Sequence, residues 1–102
     1  MNEEMNQKIS EWKQAYKYVY KTTVGGEEFY FRTLTRDDYV AITMKQQLSA
    51  PKSFDHDREV FELCVLSDYN DGLLEAKGGI VTIVTEKIMI YSGFESTEVE
   101  EV

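Results

Sequence analysis

The chain has 102 residues, of which 42% are hydrophobic, and a formal net charge of −8 at pH 7. This length and composition are typical of one globular domain with a modest core. The acidic charge argues against nucleic acid and against anionic membranes as partners, because both are bound mainly through Lys and Arg.

An amphipathic helix is predicted at the N-terminus, over about residues 3–16. The acidic residues at positions 3 and 4 suit the start of a helix, where the helix dipole favours negative charge. Apolar residues recur at four-, three- and four-residue steps, so that they share one face of this helix. They are Met5, Ile9, Trp12 and Tyr16.

A β-hairpin is predicted next, with Gly25 and Gly26 as its two turn residues, because glycine readily takes the positive φ angles of such turns. The resulting register pairs Val24 with Glu27, Thr22 with Phe29, Tyr20 with Phe31 and Tyr18 with Thr33. One face is then aromatic, with Tyr18, Tyr20, Phe29 and Phe31. The other face is mostly polar and includes Tyr30 and Arg32. We expect the aromatic face to pack on helices, since a two-stranded ribbon is only marginally stable alone.

A second helix is predicted over about residues 36–48. Thr35 and Asp38 have the spacing of a capping box, and Leu34 and Tyr39 are placed for a hydrophobic staple. Pro51 prevents the helix from continuing. The predicted apolar face of this helix consists of Val40, Met44 and Leu48, widened by Tyr39 and Ile42.

The C-terminal half is predicted to be helical except for a turn-rich loop over residues 67–72. A third helix is expected over about residues 54–67, with Val60, Phe61, Cys64 and Val65 as its apolar face. Residues 80–85 are rich in β-branched side chains, which favour a strand. The helical spacing of Ile80, Val84, Ile88 and Tyr91 favours a helix over residues 80–92 instead, with Gly93 as its C-terminal cap.

These elements together predict an α+β fold. It consists of an N-terminal helix, one β-hairpin and about three helices packed on the aromatic face of the hairpin. Residues 1–94 are expected to form a single domain. Residues 95–102 carry four acidic side chains and are expected to form a flexible, solvated tail.

Two acidic stretches contain metal-binding residue types, but both fit a structural interpretation better. Adjacent residues on a helix point about 100° apart, so Asp55, His56 and Asp57 do not converge on one ion and suit a helix N-terminus instead. The stretch that begins at Asp68 is similar to a calcium loop. However, Gly72 lies at its fifth position, whereas an EF-hand loop needs glycine at about the sixth. We therefore expect an Asx-type turn there.

No residue set with the spacing of an active site is present in the sequence. Cys64 lies within an apolar stripe and behaves as a small hydrophobic residue, with His56 eight positions away. The glycine pairs at 25–26 and 78–79 lack the rest of a phosphate-binding motif. The sequence thus predicts a protein that is not an enzyme, with no catalytic, cofactor or metal site.

A lone cysteine rules out an intramolecular disulfide, which suggests an intracellular protein. The N-terminus lacks the regions of a secretory signal. The most apolar stretch, residues 80–91, is too short and too polar to span a bilayer. We therefore expect a soluble protein.

The segment at residues 29–39 carries an aromatic-Arg-x-Leu-Thr pattern, formed by Phe31, Arg32, Leu34 and Thr35, that leads into the second helix. In this pattern the chain resembles the small tail assembly chaperones of tailed bacteriophages. Residues 9–16, 62–66 and 91–94 are similar to the first helix, the middle helix and the helix end of such proteins. The pattern is also similar to that of phage baseplate-assembly proteins. The chain departs from it at residues 68–79, where the loop lacks the usual proline.

The resemblance implies a non-enzymatic chaperone in the host cytoplasm. Such a protein holds the helical tape-measure protein until tail-tube subunits polymerise around it. The alternative that the resemblance leaves open is a structural baseplate or tail component of the virion. A second alternative needs no resemblance: a small acidic inhibitor or adaptor of a host protein.

Four residues are candidates for contact with a protein partner. Tyr30 and Arg32 are chosen from the outer face of the hairpin, because aromatic and Arg side chains dominate interface energies. Tyr39 and Met44 join them if they are exposed, since Met adapts to irregular apolar partners. Tyr39 and Met44 are equally plausible as core residues.

Overall fold

A computed structural model of the chain describes residues 3–49, 54–94 and 99–102. Its elements, in chain order, are α1 (Glu3–Ala15), β1 (Val19–Val24), β2 (Glu27–Arg32), α2 (Arg36–Leu48), α3 (His56–Cys64), α4 (Asp71–Ala76) and α5 (Gly79–Tyr91). The predicted α+β class and the order of helix, hairpin and helices are confirmed. Pro51 and the first half of the predicted tail lie outside the described residues.

The hairpin has the predicted turn and the predicted register. Gly25 and Gly26 have φ angles of 61° and 83°, and β1 pairs with β2 from Val24 opposite Glu27 to Val19 opposite Arg32. The ladder ends there, so the predicted pair of Tyr18 with Thr33 lies beyond it. Tyr18 is consequently 50% exposed and does not belong to the packed face.

The core lies where α3 and α5 meet the inner face of the hairpin. The ring of Phe29 contacts that of Phe61 edge-on, with 5.8 Å between the centroids. The rings of Tyr20 and Tyr91 lie 4.9 Å apart. The most deeply buried side chains come from all three elements and are Phe31, Val60, Phe61, Cys64, Val84 and Ile88. Thr85 is buried among them, and its hydroxyl donates to the carbonyl oxygen of Asp57 over 2.9 Å.

The end of the hairpin's outer face that carries Tyr30 is covered by α1, which corrects the choice of Tyr30 as an accessible residue of that face. The rings of Trp12 and Tyr30 lie 5.5 Å apart, and Tyr30 is only 8% exposed. The helix itself contributes no fully buried residue. It therefore covers the hairpin with a half-buried stripe of Met5, Ile9 and Trp12.

The chain after α3 leaves the helix and pairs with the edge of β2. The backbone N–H of Leu66 donates to the carbonyl oxygen of Tyr30 over 2.7 Å, and the N–H of Tyr30 donates to the Ser67 hydroxyl over 3.0 Å. Val65 forms an isolated bridge with Phe31. This pairing explains why α3 ends at Cys64 and not at the predicted position 67.

Three helix ends further refine the sequence prediction. Asp55 caps α3 by accepting from the N–H of Arg58, so that α3 begins at His56 rather than at position 54. Asn70 accepts from the N–H of Leu73 and starts the short helix α4, which was predicted as loop. The choice of helix over strand for α5 is confirmed. Gly93 has a φ of 93° at its end, where the N–H of Phe94 donates to Met89.

No helix within the described residues combines the length and the apolar character that crossing a membrane requires. Residues 99–102 of the predicted tail contain no helix or strand, and Val99 and Val102 are exposed.

Replacing Gly25 and Gly26 together by valine should lower the free energy of unfolding by about 1–3 kcal/mol. The cause is backbone strain, because both residues have positive φ. Steric overlap is not the cause, since a Cβ at Gly25 would meet its nearest neighbour at an ordinary 3.9 Å. Urea denaturation measures the change.

The matched control is Gly79→Ala at the start of α5, where a Cβ meets nothing within 4 Å and φ is not positive. We expect this variant to be as stable as the parent or slightly more so. An unchanged urea midpoint for the double valine variant would contradict the role of the turn.

Candidate protein-binding surface

The Asp55–His56–Asp57 segment is used to start α3. The Asp55 carboxylate accepts from the N–H of Arg58 over 3.2 Å, and one oxygen of Asp57 accepts from the Thr82 hydroxyl over 3.2 Å. His56 Nδ1 lies 3.9 Å from the Asp57 carboxylate. No group of three or more metal-ligating side chains occurs in the described parts of the chain. The arrangement fits helix capping and side-chain packing better than metal binding.

Cys64 lies at the centre of the core and is fully buried. Burial raises the pKa of its thiol to about 11, because a thiolate is poorly solvated there. The thiol is therefore protonated near neutral pH. It lacks both the exposure and the depressed pKa of a cysteine nucleophile.

Arg32 links the end of β2 to the start of α2. Its guanidinium lies 2.8 Å from the Asp38 carboxylate, donates to the carbonyl oxygen of Thr33 and lies over the ring of Tyr16. Asp38 in turn accepts from the N–H of Thr35, and Thr35 accepts from the N–H of Asp38. The predicted capping box is thus present, and the structure adds Arg32 to it.

This network controls the charge state of Asp38. Burial by itself would raise the pKa of the carboxyl, but the hydrogen bonds from Arg32 and Thr35 outweigh burial and lower the pKa. Asp38 is therefore held as a carboxylate. The guanidinium of Arg32 has its charge neutralised within the chain, and its side chain is mostly buried.

The structure separates the four candidate residues by their exposure. Tyr30 is buried beneath Trp12, and Arg32 is bound to Asp38, so both support the fold directly. Tyr39 is half-buried, with its ring 4.9 Å from that of Phe94. Met44 is 57% exposed and is the most accessible of the four. Contact of these residues with a partner stays a prediction. Of the four, Met44 is the best candidate because it is the most exposed.

Helix α2 turns its predicted apolar face outward. Val40, Met44 and Leu48 are 41%, 57% and 87% exposed, respectively. They lie at four-residue intervals and form one continuous row on the helix, which we call the α2 stripe. The core contact of this helix is made by Ile42 on another face, so that of the two alternatives left open for Met44, core or surface, the structure has it at the surface.

Val40 and Leu48 were not identified as candidate contact residues from the sequence. The relevant signal is that α2 is apolar on two faces, with Ile42 and Tyr39 on one and the α2 stripe on the other. Periodicity identifies both faces but does not say which one meets the core. An apolar row left exposed on a helix is typical of a surface that binds another protein.

Comparisons of the chain with protein-family models, with curated proteins and with solved structures gave no match.

Replacing Asp38 by asparagine should lower the free energy of unfolding by about 1–2 kcal/mol at pH 7. Because the pKa of Asp38 is lowered by folding, its stabilising effect is complete above the unfolded pKa of about 3.9 and is lost as pH falls through the lower, folded pKa. The stability difference between parent and variant should therefore shrink below about pH 4. Urea denaturation across this pH range measures it.

Asp37→Asn is the matched control. Asp37 lies in the same first turn of α2 but is exposed and makes no bond to Arg32. We expect a smaller loss of stability from this change. Equal stability of Asp38→Asn and the parent at pH 7 would contradict the role of the network.

Proposed function

We propose that this protein is a non-enzymatic tail assembly chaperone of a tailed bacteriophage and that it binds the tape-measure protein. Its resemblance to such chaperones supports the proposal. The single structural observation that supports it most is the exposed α2 stripe of Val40, Met44 and Leu48. Neither catalysis nor a cofactor is part of the proposed action, which is stoichiometric binding.

The chemistry of the α2 stripe fits a helical partner. An amphipathic helix buries its apolar face by laying it against an apolar row or groove, with contacts at three- and four-residue intervals. The α2 stripe has this spacing. Met44 at its centre has an unbranched side chain that adapts to different neighbours along a long helix. Such a contact would shield the apolar face of the tape-measure helix from aggregation until tail-tube subunits cover it.

The proposed site of action is the cytoplasm of the host cell. The net charge of −8 keeps a small protein soluble and disfavours binding to nucleic acid or to anionic membranes. Binding is therefore proposed to be restricted to protein partners.

Coexpression with the tape-measure protein should raise the soluble yield of that protein. Replacing Met44 and Leu48 by glutamine should reduce this gain at least about threefold, because each change removes exposed apolar area from the proposed contact. The measurement is the amount of soluble tape-measure protein per amount of chaperone.

The matched control is Leu63→Gln with Ile83→Gln. These side chains are also partly exposed and apolar but lie on α3 and α5. We expect full rescue from this variant. A Met44 and Leu48 variant that rescues as well as the parent would exclude the α2 stripe. Rescue at strongly substoichiometric amounts would indicate turnover and contradict stoichiometric binding.

Mass spectrometry of purified virions distinguishes the chaperone from its alternatives. A chaperone should be absent or scarce in the virion. A fixed copy number would favour the structural baseplate or tail component. Absence from the virion together with no effect on the tape-measure protein would favour the acidic inhibitor or adaptor of a host protein.

A further inference from the structure

A second accessible surface is the groove between α1 and the outer face of the hairpin. It has a volume of about 420 Å³ and is bounded by α1, by β2 and by residues 66–68. Four partly or fully buried apolar side chains line it, namely Met5, Trp12, Tyr30 and Leu66. We call this cavity the α1 groove. It is separate from the α2 stripe, since no residue of α2 lines it.

The charged side chains along the α1 groove are mostly acidic. Glu11, Glu28 and Asp68 contribute three carboxylates, against one ammonium group from Lys8. Glu28 is paired with Lys21 at 3.3 Å. Glu11 and Asp68 form no ion pair with any of the described residues. Among the described residues, two exposed carboxylates and the ammonium group of Lys8 therefore flank an apolar floor without an ion-pair partner, which leaves an acidic excess.

We propose that the α1 groove binds a basic amphipathic protein segment, in which apolar side chains are flanked by Lys or Arg. The apolar side chains would contact the rings of Trp12 and Tyr30. The basic groups would meet the carboxylates of Glu11 and Asp68. The apolar contact is favourable because it removes apolar area from water. The charged contact is favourable because groups of opposite sign approach each other.

The charge of the α1 groove selects among ligands with apolar groups. An acidic or phosphorylated segment would place like charges beside Glu11 and Asp68, which is unfavourable. A neutral apolar segment would leave both carboxylates unpaired next to the bound surface. A cationic apolar segment gains from the apolar contact and from the attraction to the two carboxylates. Arginine also stacks on aromatic faces. This proposal does not rest on the tape-measure hypothesis, because it concerns another surface and is tested without that protein.

Trp12 provides a direct readout, because it is the only tryptophan of the chain and lines the α1 groove. The probe is a synthetic peptide of about 18 residues, long enough to form a helix. It contains no Trp and carries a Leu stripe flanked by Lys. Binding should move the emission of Trp12 to shorter wavelength and saturate at one peptide per protein. A peptide with Glu in place of each Lys should not produce this shift.

The decisive variant is Glu11→Gln with Asp68→Asn. We expect it to weaken binding of the Lys peptide about fivefold at low salt, since each surface charge pair contributes modestly. The control variant, Glu75→Gln with Glu86→Gln, removes the same number of charges from exposed positions outside the α1 groove. We expect it to bind the Lys peptide nearly as well as the parent. Thermal melting by circular dichroism verifies that both variants are folded.

Three results would overturn the proposal. The first is an unchanged Trp12 emission on addition of the Lys peptide. The second is binding of the Glu peptide as tightly as the Lys peptide. The third is an equal loss of affinity in the two variants. The last result would show general attraction to an acidic protein rather than a site. Each of them leaves the coexpression result unaffected, so that failure of the α1 groove is distinguishable from failure of the proposed chaperone function.

Discussion

The packing of α5 on the inner face of the hairpin is the contact on which the rest of the fold depends. Two strands bury too little area to be stable alone. Here Phe29 and Phe31 gain their burial from α3 and α5, in a core that also contains Val84 and Ile88. The same contact also places the C-terminal end of α5 beside the start of α2. Ser92 accepts from the N–H of Leu34 over 2.7 Å and thereby holds the connection that leads from β2 into α2.

The two proposed binding surfaces are exposed because the core is too small to bury every apolar face of the surrounding elements. Once α3 and α5 cover one face of the hairpin, α1 covers the other only with half-buried side chains, which leaves the α1 groove beside Trp12. Helix α2 meets the core mainly through Ile42, and its apolar row of Val40, Met44 and Leu48 stays exposed. Helix α2 is anchored by a specific polar contact, the ion pair between Arg32 and Asp38.

Local chemistry allowed most of the elements to be predicted from the sequence, whereas burial depended on distant contacts. The glycine turn and the Thr35 capping box act within a few residues, so the hairpin register and the start of α2 were predictable. The end of α3 was not, because Leu66 leaves the helix to pair with a strand far away in sequence. The burial of Tyr30 was not predictable for a similar reason. The alternation of side chains along β2 places Tyr30 on the mostly polar face, but α1 packs on that part of the face. Helix α2 has two apolar faces, but only one of them can pack on the core. The sequence does not say which, and the structure shows that it is the face with Ile42.

The short pairing of residues 65–67 with β2 limits how the hairpin can associate with copies of itself. A sheet with two open edges accepts a neighbour on each side and can therefore grow into a fibre. Here the N–H of Leu66 and the hydroxyl of Ser67 already bond the outward N–H and carbonyl groups of Tyr30, so that this part of the β2 edge is occupied. Within the described residues, β1 is then the strand whose outer edge carries no such pairing at any point. Pairing of two β1 edges would give a two-fold symmetric dimer whose outer edges are the β2 strands, each partly occupied by residues 65–67.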